Sequence, residues 1–509
     1  MLAKVYSGSV LGINAYPVTV EVDIATGINR PHIIVGLPDT AVKESKERIE
    51  FAVRNSEIDF PSFKRFIINL APAHTKKEGP IFDLPIAIGV LIASGRLSQH
   101  SVKNALIVGE LSLDGKLRPI KGVLAMCLMA KEQNLKKVIV PYENAEEAAL
   151  IEELEVIAVK YFYEVYFYLQ NPSTVSAYKS QQNKNWHNNC ELDFAEVKGQ
   201  NFAKRALEIA AAGGHNILLI GSPGSGKTML ARRLPSILPP LSKEEALEVT
   251  RLYSISGLLP DHFGLITQRP FRSPHHTISD AGIVGGGSIP RPGEITLAHR
   301  GILFLDELLE FKRKCLEMLR QPLEDGQVTI SRAATSLTYP AQFMLVGTTN
   351  PCPCGHYLDS AKKCVCTPQK IKQYWERLSG PILDRIDMYI DVPRLKKDEL
   401  INKPQGEPSK NIQQRILQTL SIQQERFQKS NTLNNAQMTS KQINKFCNLE
   451  TDAQELLKEG LVQFCLTGRS YDRVLRISRT IADLDNSENI QKKHIAEALQ
   501  YRNIIYNKT

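Results

Sequence analysis

Apolar and polar residues alternate through "AYPVTVEVDIATG", Ala15 to Gly27, with the period of a half-buried strand. From Asp39 to Asn55 the apolar positions recur at helical spacing, and Leu84 to Ala93 is almost wholly apolar. Strand and helix patterns mix in this way as far as Tyr168. A polar stretch, "NPSTVSAYKSQQNKNWHNN", then has the composition of a linker. From Asp193 to about Pro393, apolar strand candidates alternate with helices, as in a nucleotide-binding α/β domain. A second polar break, "RLKKDELINKPQGEPSKN", ends near Asn411, and helical periodicity fills the remainder. The pattern predicts five segments: a mixed α+β domain over 1–170, a linker over 171–192, an α/β core over 193–395, a linker over 396–411 and a helical domain over 412–509. No repeat at solenoid spacing interrupts this order.

Composition narrows the setting. A chain of 509 residues accommodates about three domains, and 42% hydrophobic with 23% charged residues is ordinary for a globular protein. Leu84 to Ala93 is too short to cross a bilayer, and the first residues lack the basic-then-apolar form of a signal peptide. Nine cysteines, an odd number, suit a reducing compartment better than a disulfide framework. A cytoplasmic location without membrane contact is expected. The formal charge of +9 permits an acidic partner such as nucleic acid.

The sharpest chemistry lies in "NILLIGSPGSGKTMLARRL". An apolar strand, Ile217 to Ile220, enters a turn that fits G-x-x-x-x-G-K-S/T at every fixed position. Gly221, Ser222, Pro223, Gly224, Ser225 and Gly226 form a loop whose backbone N–H groups can wrap ATP phosphates. Lys227 neutralises the β- and γ-phosphates, and the Thr228 hydroxyl holds Mg²⁺. Further on, "GILFLDEL" delivers two carboxylates at the end of a buried strand, where ligands of α/β sheets collect. Asp306 is expected to hold Mg²⁺ and Glu307 to polarise the attacking water. A third strand, "FMLVGTTN", ends at Asn350, whose amide can orient that water.

These strands, together with "GPILDRID" at Gly380 to Asp387, resemble the AAA+ ATPases. The resemblance implies that Asn350 is the first sensor. It also implies that Arg385 is a finger reaching the nucleotide of the neighbouring subunit in a ring. A salt bridge to Asp384 or Asp387 is the competing role for Arg385. "LTGRSYDRVLRISRTIADL", Leu466 to Leu484, resembles the second-sensor helix of the MCM and magnesium-chelatase branch. Arg469 aligns with the sensor arginine and Arg473 is the alternative; both can also be solvated helix charges.

Two insertions suggest what hydrolysis drives. "DGQVTISRAATSLTYPAQ", Asp325 to Gln342, reads as a β-hairpin with Arg332 in its turn. It resembles the pre-sensor hairpin of AAA+ helicases, which projects into the ring channel. In "RPFRSPHHTISDAGIVGGGSIPRPGEITLAHRG", Arg269, Arg272, His275 and His276 cluster beside a Gly285-Gly286-Gly287 hinge. Repeated around a ring, such groups can act together on one strand of nucleic acid. A structural turn or a packed pair is an equal alternative for the two histidines.

"CPCGHYLDSAKKCVC" brings Cys352, Cys354, Cys364 and Cys366 close in sequence. Four thiolates can bind Zn²⁺ tetrahedrally and pin a polar loop; a redox pair or free thiols are the alternatives. His356 is a substitute ligand, and Lys362 and Lys363 can meet phosphate once the loop is held.

The whole string from "RPFRSPHHTISDAG" through "NPCPCG" to "LSGPILDRIDMYIDV" resembles the YifB/ComM family of magnesium-chelatase-like AAA+ ATPases. That resemblance spans essentially the entire chain. It implies a homo-hexameric helicase of the branch-migration type, acting on single-stranded and branched DNA during recombination in natural transformation. Recombination proteins are possible partners. In the first block, "INLAPAHTKKEGPIFDLPIAIGVL" and "LRPIKGVLAMCLMAKEQNLKKVIVPYENAEEA" resemble the Lon protease domain. Ile81 and Leu124 stand where Lon needs its Ser and Lys, so neither nucleophile nor base is present. A fold without protease chemistry follows, as in the C-terminal domain of the recombination helicase RadA. The expected architecture is α/β: a P-loop AAA+ core with an N-terminal Lon-protease-like α+β domain and a C-terminal helical lid. A magnesium-chelatase-type motor and a protein-remodelling ATPase are the competing functions.

Overall fold

The computed structural model describes residues 2–25, 32–61, 64–180, 192–259, 264–287, 290–331, 336–357, 359, 362–395, 406–430, 432–463 and 467–502. They group into two compact units. One joins Met1–Trp186 to Lys243–Thr267, and the other joins His187–Ser242 to Gln268–Thr509. The segment Lys243–Thr267, expected inside the α/β core, therefore packs with the first unit.

In the first unit, β1 (Ala3–Leu11), β2 (Asn14–Ala25), β3 (Ile33–Val35), β4 (Arg65–Ala71), β5 (Ala105–Ile107), β8 (Lys137–Pro141) and β9 (Glu155–Val159) build one sheet. Its order is β3-β4-β2-β1-β5-β8-β9. The pairs β1–β2 and β2–β4 are antiparallel, and the outer pairs are parallel. Alternation along β2 buries Val18, Val20 and Val22 and leaves Asp23 in water, as the period of two requires. Two short strands, β6 (Glu110–Leu111) and β7 (Leu117–Arg118), make a separate hairpin. The helix Thr40–Asn55 starts where Asp39 accepts a hydrogen bond from the Val42 N–H at 2.8 Å. The apolar run becomes the helix Asp83–Ala93, all of whose residues are buried. Asp83 survives there because Arg48 donates to it at 3.0 and 3.1 Å. The inserted helix Lys243–Ser256 is tied down through Ser254, which donates to the buried Glu147; that carboxylate also accepts the Leu124 N–H at 2.7 Å. No described helix is long and apolar enough to cross a membrane.

The second unit holds β10 (Ile217–Ile220), β11 (Phe271–Arg272), β14 (Ile302–Leu305), β17 (Met344–Thr349) and β18 (Met388–Asp391) in a parallel sheet ordered β11-β14-β17-β10-β18. β12 (Gly285–Gly286) pairs with β13 (Arg291–Pro292), and β15 (Gln327–Ser331) pairs with β16 (Ser336–Pro340). β10 and β14 are buried at every position, as strands covered on both faces must be. The mixed α/β architecture with this sheet is that of a P-loop AAA+ type core. Helices Ser409–Phe427, Thr451–Gln463, Gly468–Leu484 and Lys492–Gln500 follow. Val474, Ile477 and Ile481 lie in the same hydrophobic core as Ile217, Leu219 and Val346.

Candidate active site

Parallel pairing fixes what meets at the sheet's edge. Ile220 lies beside Thr349, and Leu305 beside Gly347, so the phosphate loop, the two carboxylates and Asn350 leave the sheet together. Gly221 has no room for a side chain: a Cβ there would lie 2.3 Å from the Val392 carbonyl oxygen. Lys227 is buried and donates to the Gly221 and Ser222 carbonyls at 2.6 and 3.0 Å, and to Asn350 Oδ1 at 3.4 Å. Burial lowers its pKa, against the pull of Asp306 and Glu307. An ammonium whose acceptors are neutral is suited to an anionic ligand. The Ser225 hydroxyl, buried in the same loop, has no partner among the described residues. Both features fit a nucleotide phosphate chain.

Thr228 Oγ1 lies 3.3 and 3.1 Å from the two oxygens of Asp306, the hydroxyl–carboxylate pair that fits Mg²⁺. When bound, that ion supplies Lewis-acid charge to phosphate oxygens. Glu307 is exposed at φ +51°, in the left-handed region that is uncommon for a residue other than glycine. Two contributors escaped sequence reasoning. Thr348 donates to Asp306 and accepts the Glu307 N–H at 3.1 Å. Gln200 donates to the Ser225 carbonyl at 3.3 Å and to the Pro393 carbonyl at 2.7 Å, bracing the loop. The doublet Thr348-Thr349 before Asn350 was a usable signal for the first; Gln200 had none.

The remaining arginines gather elsewhere. A cavity of about 490 Å³ is lined by Arg385, Arg469, Arg473, Glu324, Asp384 and Asp387 among others, and by no residue of the phosphate loop. Arg385 donates to the Pro381 carbonyl at 2.7 Å and pairs with Glu324, rather than with Asp384 or Asp387. Its buried Nε has no partner among the described residues. Arg469, at the start of its helix, is 70% exposed and 3.7 Å from Asp384, whereas Arg473 is largely buried and 3.1 Å from Asp387. Burial would raise the Asp387 pKa, but His215, Arg473 and the Asn216 N–H outweigh it and lower it. Of the two arginines, Arg469 keeps the freer guanidinium.

The insertions also take shape. Arg269 donates to the Pro239 and Arg300 carbonyls at 3.0 and 2.8 Å, and Arg272 grips Glu294 at 2.6 and 2.7 Å. Both charges are thus engaged inside the fold. His275 is exposed and its ring lies 4.1 Å from that of His276, so the packed pair forms. The expected hairpin is β15–β16, with Thr329 opposite Thr338 and Ser331 opposite Ser336. Arg332 lies outside the described residues. Tyr339 donates to the Pro290 carbonyl at 3.0 Å, linking this hairpin to the segment entering β13, a contact that sequence spacing did not reveal.

Cys352, Cys354, Cys364 and Cys366 converge, with their sulfurs all within 4.8 Å of one another. Three of the separations are 3.3, 3.7 and 3.6 Å. A Zn²⁺ tetrahedron with bonds of about 2.3 Å has edges of about 3.8 Å, so the four thiols fit that ion. Burial works against ionising Cys354, yet the Val365 and His356 N–H groups bring it down to about 6, while burial pushes Cys352 up to about 12. His356 faces Asp359 at 3.3 Å and is not part of the four-sulfur group. Lys362 and Lys363 are exposed.

Family models describing magnesium chelatase subunit ChlI match residues 20–144 and 193–400, and its C-terminal model matches 406–502. The competence protein ComM of Haemophilus influenzae is 42% identical over 99% of this chain and 98% of its own. The YifB protein of Escherichia coli is 42% identical over 99% of this chain and 97% of its own. The magnesium-chelatase 38 kDa subunit of Rhodobacter capsulatus is 27% identical over 31% of this chain and 50% of its own. ATP and Mg²⁺ are the ligands that this kinship and the phosphate loop together imply. With similarity at this level from end to end, the chain belongs to the YifB/ComM family of magnesium-chelatase-like ATPases.

Proposed function

We propose that the chain is an ATP-driven, homo-hexameric DNA motor of the cytoplasm that promotes branch migration during homologous recombination, in natural transformation. The observation that carries this reading is the division of the catalytic parts. Lys227, Thr228, Asp306, Glu307 and Asn350 gather at the phosphate loop, whereas Arg385 and Arg469 line a cavity that no loop residue enters. Arginines so placed serve a nucleotide held by a neighbouring copy, which requires a ring. Arg385 is the finger and Arg469 the second sensor; Glu307 activates water and Asn350 orients it.

DNA is the favoured track because paired hairpins accompany this motor and a full-length relative is named a competence protein. Arg332 and the exposed His275, with His276, contact single-stranded or branched DNA; Arg269 and Arg272 hold the insertion that carries the two histidines. The first unit is a Lon-like scaffold without Ser–Lys chemistry, the C-terminal helices are the lid, and four thiolates hold Zn²⁺. Recombination proteins are natural partners for such a motor. A magnesium-chelatase-type motor is the second reading, favoured by the chelatase models along the chain; a protein-remodelling ATPase is the third.

ATP hydrolysis is to be measured with single-stranded DNA, with unfolded protein, and with porphyrin plus chelatase partner subunits. A labelled three- or four-strand junction with ATP and Mg²⁺ then tests movement. Stimulation by DNA and displacement of a strand are expected, weakening steeply with salt. A hexamer that hydrolyses ATP but moves no junction overturns the helicase reading.

A further inference from the structure

The cysteine cluster stands where it touches the ATP site. Asn350 ends β17, and Cys352, fully buried, follows two residues later. The Gly355 N–H returns to the Cys352 carbonyl at 2.9 Å, closing a tight turn. That turn presses on the phosphate loop: a Cβ on Gly355 would lie 2.6 Å from Pro223 Cδ and 3.9 Å from Asn350 Cγ. Gly355 also has φ +81°, which favours glycine. On the far side, Cys364 and Cys366 lead into Thr367, which caps the helix Pro368–Trp375. The buried Trp375 donates to the Pro351 carbonyl at 3.1 Å, so the helix also grips the start of the loop.

Among the described residues of this segment, Lys362 and Lys363 are exposed and Val365 is 84% exposed, so these side chains add no apolar burial to hold it. Cross-linking its two ends removes the freedom that would otherwise blur the position of Asn350.

We propose that Zn²⁺ on Cys352, Cys354, Cys364 and Cys366 is a positioning element of the ATP site, setting turnover by fixing Asn350 and the Pro223 face of the phosphate loop. The inference rests on the zinc reading above and extends it from loop stability to catalysis. The turn that ties the metal to Asn350 and Pro223 also ties a nucleotide in the phosphate loop to the metal, so nucleotide binding is expected to alter the metal's surroundings. Neither effect is expected of a metal that only stiffens a surface loop.

The test uses the full chain with Co²⁺ exchanged for Zn²⁺, since tetrahedral thiolate-bound Co²⁺ absorbs in the visible. Titration with Mg²⁺ and a non-hydrolysable ATP analogue should shift those bands in the parent but not in Lys227→Ala. In a second arm, Gly355→Ala should keep about one metal ion per chain while kcat falls roughly fivefold or more, with KM changed less. Bound metal whose bands ignore the nucleotide, together with parental kcat in Gly355→Ala, overturns the coupling and leaves the zinc reading intact. Parent protein that retains no metal, when never exposed to chelator, overturns both.

Discussion

The Thr348 hydroxyl donates to the Asp306 carboxylate while accepting the Glu307 N–H at 3.1 Å, so one side chain on β17 sets both acids at the end of β14. Thr348→Val keeps the shape and removes both bonds. ATP binding should persist, the Mg²⁺ concentration for half-maximal activity should rise, and kcat should fall about tenfold. Steady-state hydrolysis across a Mg²⁺ series checks this, and a parental Mg²⁺ profile would count against the bridging role.

Lys227 is the buried cation of the phosphate loop, and Glu307 the exposed carboxylate beside it. Lys227→Ala should abolish tight ATP binding. Glu307→Gln should bind ATP and hydrolyse it at least about a hundredfold more slowly. Equal turnover by Glu307→Gln and the parent would remove Glu307 as the base.

Arg385 and Lys227 belong to different clusters, which makes a mixing experiment decisive. Arg385→Ala should bind ATP and lose turnover, and mixing it with Lys227→Ala should restore part of the activity. The restored sites would combine Lys227 of one copy with Arg385 of another. Rings shown to exchange subunits, yet inactive at every mixing ratio, would exclude a finger acting between copies.

Glu147 offers a stability test. Burial raises its pKa, against the Ser254 hydroxyl, the Leu124 N–H and Asn144. The folded state therefore favours the protonated acid. Its penalty is absent below the ordinary carboxylate pKa and grows as pH rises toward the raised folded value. Glu147→Gln removes that titration, so its melting temperature should drop roughly 2–4 °C less than the parent's between acidic and neutral pH. Parallel melting curves would show that Glu147 does not carry this dependence.

Local chemistry was written in the chain. The phosphate loop, the acids after an apolar strand, the hairpin, the capped helix from Thr40 and the four cysteines are each set by contiguous residues. Short-range sterics, strand or helix period and side-chain type suffice to determine such features. The seven-stranded sheet, by contrast, pairs β1 with β5 across about a hundred residues, and spacing carries no register over that distance. Tertiary structure alone decided that Lys243–Thr267 packs with the first unit. It alone committed Arg272 to Glu294 and Arg385 to Glu324, and set Gly355 against Pro223. A charge in a sequence can serve a ligand or a distant acid equally well. Which it serves depends on partners that only folding brings within hydrogen-bonding distance.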